Sequence, residues 1–210
     1  LLGQQGIVDF DDLADRVVAV GEEGSGTYLT ARIFFEVSEV KPRELVAIGT
    51  DEALAQLKQR KIDAMFYVAG QPVKLFSEAV TAQDKLALIP ITNKSILDFY
   101  LDIEIPAKTY SWQDKAVNTV AVKAVLVSYD FRGVNCENVG KFAKTLQDNL
   151  EWLRANGHPK WKSVDLNAPV KGWEQYDCVR KYLQPSQRPA VERPRDVNPV
   201  LDAIKKMFSD

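Results

Sequence analysis

The stretch Val18–Ala31, VAVGEEGSGTYLTA, holds the residues best suited to chemistry. A β-branched run ends at Gly21. Gly24 and Gly26 permit positive φ and close backbone approach, and Ser25 and Thr27 set hydroxyls beside the start of a helical pattern. The first-turn amides of such a helix have no intrahelical acceptor, and the helix dipole favours negative charge there. The chemistry on offer is capture of a carboxylate, a phosphate or a similar anion. The plainer alternative is that Ser25 only caps the helix while the glycines make the turn. The pattern is not a P-loop, since no lysine follows the glycines. It is not a full GxGxxG, since Leu29 stands where the third glycine belongs, and GSG lacks the spacing of a nucleophile elbow.

A second strand-to-loop passage, Ile62–Pro72 (IDAMFYVAGQP), offers Tyr67, Gly70 and Gln71 where a strand gives way to a helix start. Phe66 and Tyr67 point to opposite faces, so one of the two can line a cleft while the other is core. Catalysis finds little support. Glu22 and Glu23 are adjacent and cannot both face one site from an extended turn. Asp63 stands at a strand start, away from the carboxyl-end loops, so no carboxylate pair suits acid–base work. The lone histidine, His158, sits in NGHPKW and reads as a structural turn residue. A multi-histidine metal site is impossible.

The elements that must position these residues follow from periodicity. Strands are expected at Arg16–Gly21, Glu44–Gly49, Ile62–Val68 and Leu86–Ile91. Between and after them, helices are expected at Thr27 to about Glu39, Asp51–Lys61 (capped by Thr50 or Asp51), Gln71–Thr81 with Pro72 in its first turn, and Ser95–Leu101. Single helices between strands imply crossovers and a mainly parallel α/β sheet, whose ligand sites lie at the strands' carboxyl ends. Val117–Tyr129 is valine-rich and free of Pro and Gly, enough for one long strand or two short ones. Asn135–Asn156 reads as one long helix ending at Gly157, with Val139, Phe142, Leu146, Leu150 and Leu153 on one stripe. Pro185, Pro189, Pro194 and Pro199 imply an extended segment, and Pro199–Phe208 is amphipathic. The division expected is an α/β ligand-binding lobe over 1–131 and a region of long helix and irregular tail over 132–210.

Composition narrows the function classes. The 210 residues are 46% apolar and 27% charged, with a net charge of -2. That balance argues against a general nucleic-acid binder, which needs a basic face. No apolar run approaches the length that spans a bilayer. Residues 1–130 carry 13 basic and 19 acidic side chains, and residues 131–210 carry 14 and 10, consistent with two structural units of opposite sign. Cys136 and Cys178 are either reduced thiols or one disulfide, depending on the compartment. The opening LLGQQGIVDFDDL has neither a basic start nor an apolar core of signal-peptide length. This fits a cytoplasmic chain or one that begins inside a longer precursor.

Four segments taken together resemble a known family. Arg16–Ala31 (RVVAVGEEGSGTYLTA), Lys58–Pro72 (KQRKIDAMFYVAGQP), Leu88–Ile91 (LIPI) and Tyr110–Tyr129 (YSWQDKAVNTVAVKAVLVSY) are similar, in order over about residues 7–130, to the TAXI-type substrate-binding proteins of tripartite ATP-independent periplasmic (TRAP) transporters. The resemblance implies a type 2 periplasmic-binding fold, in which two α/β lobes clamp a ligand. It implies an exported, periplasmic protein that is not an enzyme and uses no cofactor and no metal. Its ligand would be a small organic anion or an amino acid such as glutamate, delivered to TRAP membrane permease subunits. The ligand-binding residues implied are Ser25, Gly26, Thr27, Tyr28, Tyr67, Gly70, Gln71 and Thr119. Ser25, Thr27 and nearby amides would take a carboxylate, and Tyr67 would form a wall. A periplasmic location also implies a Cys136–Cys178 bridge. Against the family pattern, this sequence starts where the second lobe starts, so half of the clamp is expected to be missing and binding to require an opposing lobe.

Overall fold

Alternation along the strands decides the layers. The computed structural model describes residues 1–170 and 172–183, which fall into two compact units, 1–122 and 123–183. In the first unit Val17 and Ala19 face one way while Val18 and Val20 face the other, and all four are buried. Strands buried on both faces are what a sheet covered by helices on each side requires.

The strands of that sheet are β1 (Leu2–Gln4), β2 (Val17–Ala19), β3 (Glu44–Val46), β4 (Ala64–Met65) and β5 (Leu86–Leu88). Their order is β3-β2-β4-β1-β5. β2 pairs in parallel with β3 (Val18 opposite Leu45) and with β4 (Val18 opposite Ala64). β1 runs antiparallel to both β4 (Leu2 opposite Met65) and β5 (Leu2 opposite Leu88). Four of the five strands therefore share a direction, and the sheet is mainly parallel, as the spacing of elements predicts.

The crossover helices are α1 (Gly26–Ser38), α2 (Thr50–Lys58) and α3 (Lys74–Ala79). α1 buries Ala31, Phe34 and Phe35 on one face of the sheet, beside Phe10 and Phe66. α2 buries Ala53, Leu54 and Leu57 on the other face, together with Phe76 of α3. Phe10, Phe34, Phe35 and Phe66 meet mostly edge to face at 5.3–6.3 Å, the geometry that ring quadrupoles favour. Tyr100 adds a further edge contact at 4.7 Å on Phe34, and burial pushes its phenol up to about 12. α4 (Lys94–Leu97) closes this layer, with Asn93 accepting from the Ser95 amide at 3.1 Å.

Two strands outside the main sheet, β6 (Leu101–Ile105) and β7 (Val117–Ala121), form an antiparallel pair with Ile103 opposite Thr119. The loop between them is held by Gln113, whose Nε2 donates to the carbonyls of Pro106 (3.1 Å) and Lys115 (2.7 Å).

Several expectations need correction. Pro72 is not in a helix: α3 starts two residues later, and the Gln71–Pro72 peptide is cis. Neither Thr50 nor Asp51 caps α2; Gly49 takes that position and has no side chain to offer. Ser95–Leu101 is not helical throughout, because α4 stops at Leu97 and Leu101 opens β6. The strand at 62–68 shrinks to Ala64–Met65, and the valine-rich stretch is regular only over Val117–Ala121.

In the second unit the long helix is two. α5 (Val134–Asp148) and α6 (Leu150–Asn156) are separated at Asn149 (φ −101°, ψ 6°), whose backbone and side-chain amides both donate to the Thr145 carbonyl, at 3.1 and 2.8 Å. α7 (Asp177–Leu183) lies against α5, and the Cys136–Cys178 disulfide joins the two. Gly140 is buried at their crossing, where any Cβ would meet the Tyr182 ring and the Cys178 carbonyl. The proline-rich segment and Pro199–Phe208 lie outside the described residues.

Candidate functional site

The parallel strands β2, β3 and β4 end on the same edge of the sheet, and each runs into the loop that starts a helix. β2 and β4 are neighbours, yet the loop after β2 leads to α1 on one face while the loop after β4 leads to α3 on the other. Adjacent strands whose connections diverge in this way leave a crevice at their carboxyl ends, and ligand sites of open α/β sheets sit there.

The loop after β2 is shaped by its glycines. Gly21 has φ +87°, and a Cβ there would come within 2.9–3.0 Å of Thr27 and the Ser25 hydroxyl, so only glycine fits. The Ser25 amide donates back to the Glu22 carbonyl at 3.0 Å, folding the loop on itself. Ser25 caps α1: its Oγ accepts from the Tyr28 amide at 3.1 Å. The amides of Gly26 and Thr27 make no hydrogen bond to the described protein. Thr27 does something different. Its Oγ1 accepts from the Val68 amide at 3.2 Å, tying the β2 loop to the β4 loop across the crevice. Each hydroxyl thus spends acceptor capacity on the fold and keeps its O–H as a donor.

The β4 loop is held from behind. The Tyr110 hydroxyl accepts from the Val73 amide at 3.0 Å, and the Trp112 indole donates to the Phe76 carbonyl at 3.0 Å. Burial raises the Tyr110 phenol above its ordinary value, against the Val73 hydrogen bond, which lowers it. Tyr110 and Trp112 stack at 5.2 Å and 10°. Tyr67 is half-buried and packs edge-on against Phe76 at 5.9 Å.

A cavity of about 480 Å³ opens at this edge. The β2 loop contributes Glu22, the start of α2 contributes Gly49, Thr50, Asp51 and Glu52, and the far wall is Tyr67 with Leu75. Glu22 lies close over the α2 start, for a Cβ on Gly49 would meet its carboxylate at 2.8 Å. A second cavity, of about 400 Å³, lies at the opposite edge, beside Gln4, Arg60, Asp63 and Lys85. Asp63 there accepts from the Val17 amide at 2.8 Å and faces Arg16 at 3.7 Å, a structural assignment.

Of the residues nominated from sequence, Tyr67 lines the first cavity, while Ser25, Gly26 and Thr27 form the loop and helix start next to Glu22. Tyr28 is half-buried; its hydroxyl accepts from Arg32 at 3.1 Å, with the guanidinium 5.5 Å from its ring. Gly70 and Gln71 lie in the β4 loop but do not line the cavity. Thr119 is buried in β7, opposite Ile103, and also stands apart from the lining. Sequence reasoning missed the contribution of the α2 start. The signal was present: ELVAIG followed by TDEALAQL is a strand running into a helix N-terminus at the same edge.

Residues 1–173 match the NMT1-like family, whose members are periplasmic-type solute-binding proteins. None of the curated proteins matches the chain. Among the described residues, no helix is long and apolar enough to cross a membrane.

Proposed function

The chain belongs to the NMT1-like family, and from that premise we propose that it is the solute-capturing subunit of a TRAP-type transporter, of the TAXI kind. It takes a small organic anion or an amino acid such as glutamate and hands it to membrane permease subunits without chemical change. The observation that carries this reading is the Thr27–Val68 hydrogen bond, which locks two loops together beside a cavity at the switch point of the sheet. The free amides of Gly26 and Thr27, at the positive end of α1, receive the solute's carboxylate. Tyr67 supplies the wall, and Gly70 and Gln71, outside the cavity lining in the open crevice, are assigned to contacts made when the clamp closes. Thr119, in β7, is assigned to the hinge-side end of the clamp. An opposing lobe closes the cavity, because an open crevice leaves a small ligand in water. The reading places the protein in the periplasm, where the Cys136–Cys178 bridge is stable.

Native mass spectrometry and thermal shift of the chain together with its opposing lobe, against a panel of amino acids and dicarboxylates, test the reading. A retained solute or a raised Tm without turnover is expected. Turnover of any panel member, or no response to all of them at millimolar concentration, contradicts it. Thiol titration of the protein purified from its own compartment, under denaturing conditions, is expected to find no free thiol.

A further inference from the structure

We propose that the second unit is a docking surface for the opposing lobe of the clamp, whose sheet takes residues 123–129 as a further strand and buries the outer face of α5. The inference rests on the solute-binding reading above, which calls for that lobe.

Among its described residues the second unit buries only Gly140 and Cys178. It encloses no large apolar side chain, and burial of such side chains is what holds a unit of this size folded. The disulfide and the crossing of α5 with α7 are what remain. Apolar residues are present but face outward: Leu126 is 77% exposed, Val127 66%, Tyr129 76% and Phe142 55%. None of the amides of residues 123–129 donates to a described residue, and of their carbonyls only that of Tyr129 accepts, from Phe131 and Ser128. Strands that meet water at a sheet edge carry charges or proline as protection, and residues 124–129, AVLVSY, have neither.

The pattern of these residues chooses the occupant. In an extended chain Val125, Val127 and Tyr129 face one way and Ala124 and Leu126 the other, so both faces are apolar. A strand of that kind belongs inside an α/β layer, with a strand on each edge and helices above and below. A second copy of the chain, paired about a two-fold axis, would fill one edge and leave the other open. α5 follows the strand and completes a β–α unit. It turns Cys136 and Gly140 to α7 and carries Val139, Phe142 and Leu146 at helical spacing on a different face. The family match runs through this unit to residue 173, so strand and helix are part of the solute-binding fold rather than an appendage.

The test is hydrogen exchange and binding with the full chain and, as a separate polypeptide, the opposing lobe of an NMT1-like family member. Residues 123–129 are expected to exchange as open backbone in the chain alone, and about a hundredfold or more slowly with the lobe bound. Leu126→Lys and Val127→Pro fall at exposed positions, so the Tm of the chain alone is expected to stay unchanged, while each weakens association with the lobe about tenfold or more. Val8→Lys, at an exposed apolar residue of the first unit, is expected to leave association as it was. A lobe that does not bind, that binds with 123–129 still open, or that is indifferent to both substitutions overturns the proposal; a solute response in the same mixture then leaves the solute-binding reading standing. Protection of 123–129 in the chain alone, rising with protein concentration, also overturns it and makes a second copy the occupant. Protection by the lobe with no response to any solute supports the docking and overturns the solute-binding reading instead.

Discussion

Replacing Thr27 by valine removes one atom's chemistry and almost none of its shape. The methyl that packs by Gly21 stays, while the oxygen that accepts from the Val68 amide is lost. The Val68 amide is part-buried, so its donor is left without a partner and without full access to water. A buried donor orphaned in this way costs about 1–3 kcal/mol, and partial exposure places this one towards the lower end, at about 1–2 kcal/mol. For a unit of this size, that lowers Tm by roughly 4–8 °C. Thr27→Ser keeps the oxygen and loses only the methyl, so it is expected to cost less than Thr27→Val. Urea unfolding gives the stability difference, and hydrogen exchange reads the amide itself. Exchange at Val68 is expected to quicken about tenfold for each 1.4 kcal/mol lost locally, while Ala19 and Met65 in the sheet change less. If Thr27→Val were as stable as Thr27→Ser, with Val68 exchange unaltered, the two loops would not be coupled through this hydroxyl. The site's architecture would then need another origin.

Gly21→Ala forces a Cβ against Thr27 at φ +87° and is expected to destabilise by about 2 kcal/mol or more, read from the urea midpoint. Asp84 is partly buried, which works to raise its carboxyl. The Thr81 amide and hydroxyl and Lys58 at 3.1 Å outweigh that and hold it below the usual range. Its folded value is thus lower than its unfolded one, so its contribution is complete above about pH 5 and fades as pH falls through the folded value. Asp84→Asn is expected to cost about 1 kcal/mol at neutral pH, and the gap from the unaltered protein should close in strong acid, measured by unfolding across pH. Reducing the Cys136–Cys178 bridge opens a link across 42 residues and is expected to remove about 4 kcal/mol from the second unit, followed by tryptophan fluorescence in denaturant with and without reductant.

The layers of the first unit were legible because its strands and helices announce themselves by period. RVVAVG, ELVAIG and the Ala53–Leu57 stripe all fall where the pattern puts them, but each element ends two or three residues sooner than the pattern suggests. β1 was not legible: LGQ is three residues without a β-branched side chain, and only pairing with β4 and β5 makes it a strand. β6 was legible in principle, since LDIEI alternates cleanly, but its neighbour SIL carries a helical signal that ran over it. The break at Asn149 is a departure of one residue from helical backbone angles, which a hydrophobic stripe does not register. At the candidate site, glycine spacing drew attention to the turn before α1. What it hid was the role of Thr27, whose oxygen bonds a residue 41 positions away, and the place of Glu22, which is visible only once α2 is laid beside the β2 loop.

The claim on which the account stands is that the loops after β2, β3 and β4 make a solute site. Amide chemical-shift mapping of the full chain with its bound solute tests this directly. Perturbations centred on Glu22–Thr27, Gly49–Glu52 and Tyr67–Gln71 are the predicted result. Perturbations at the opposite edge, around Gln4, Arg60 and Lys85, with the strand carboxyl ends unmoved, would contradict it.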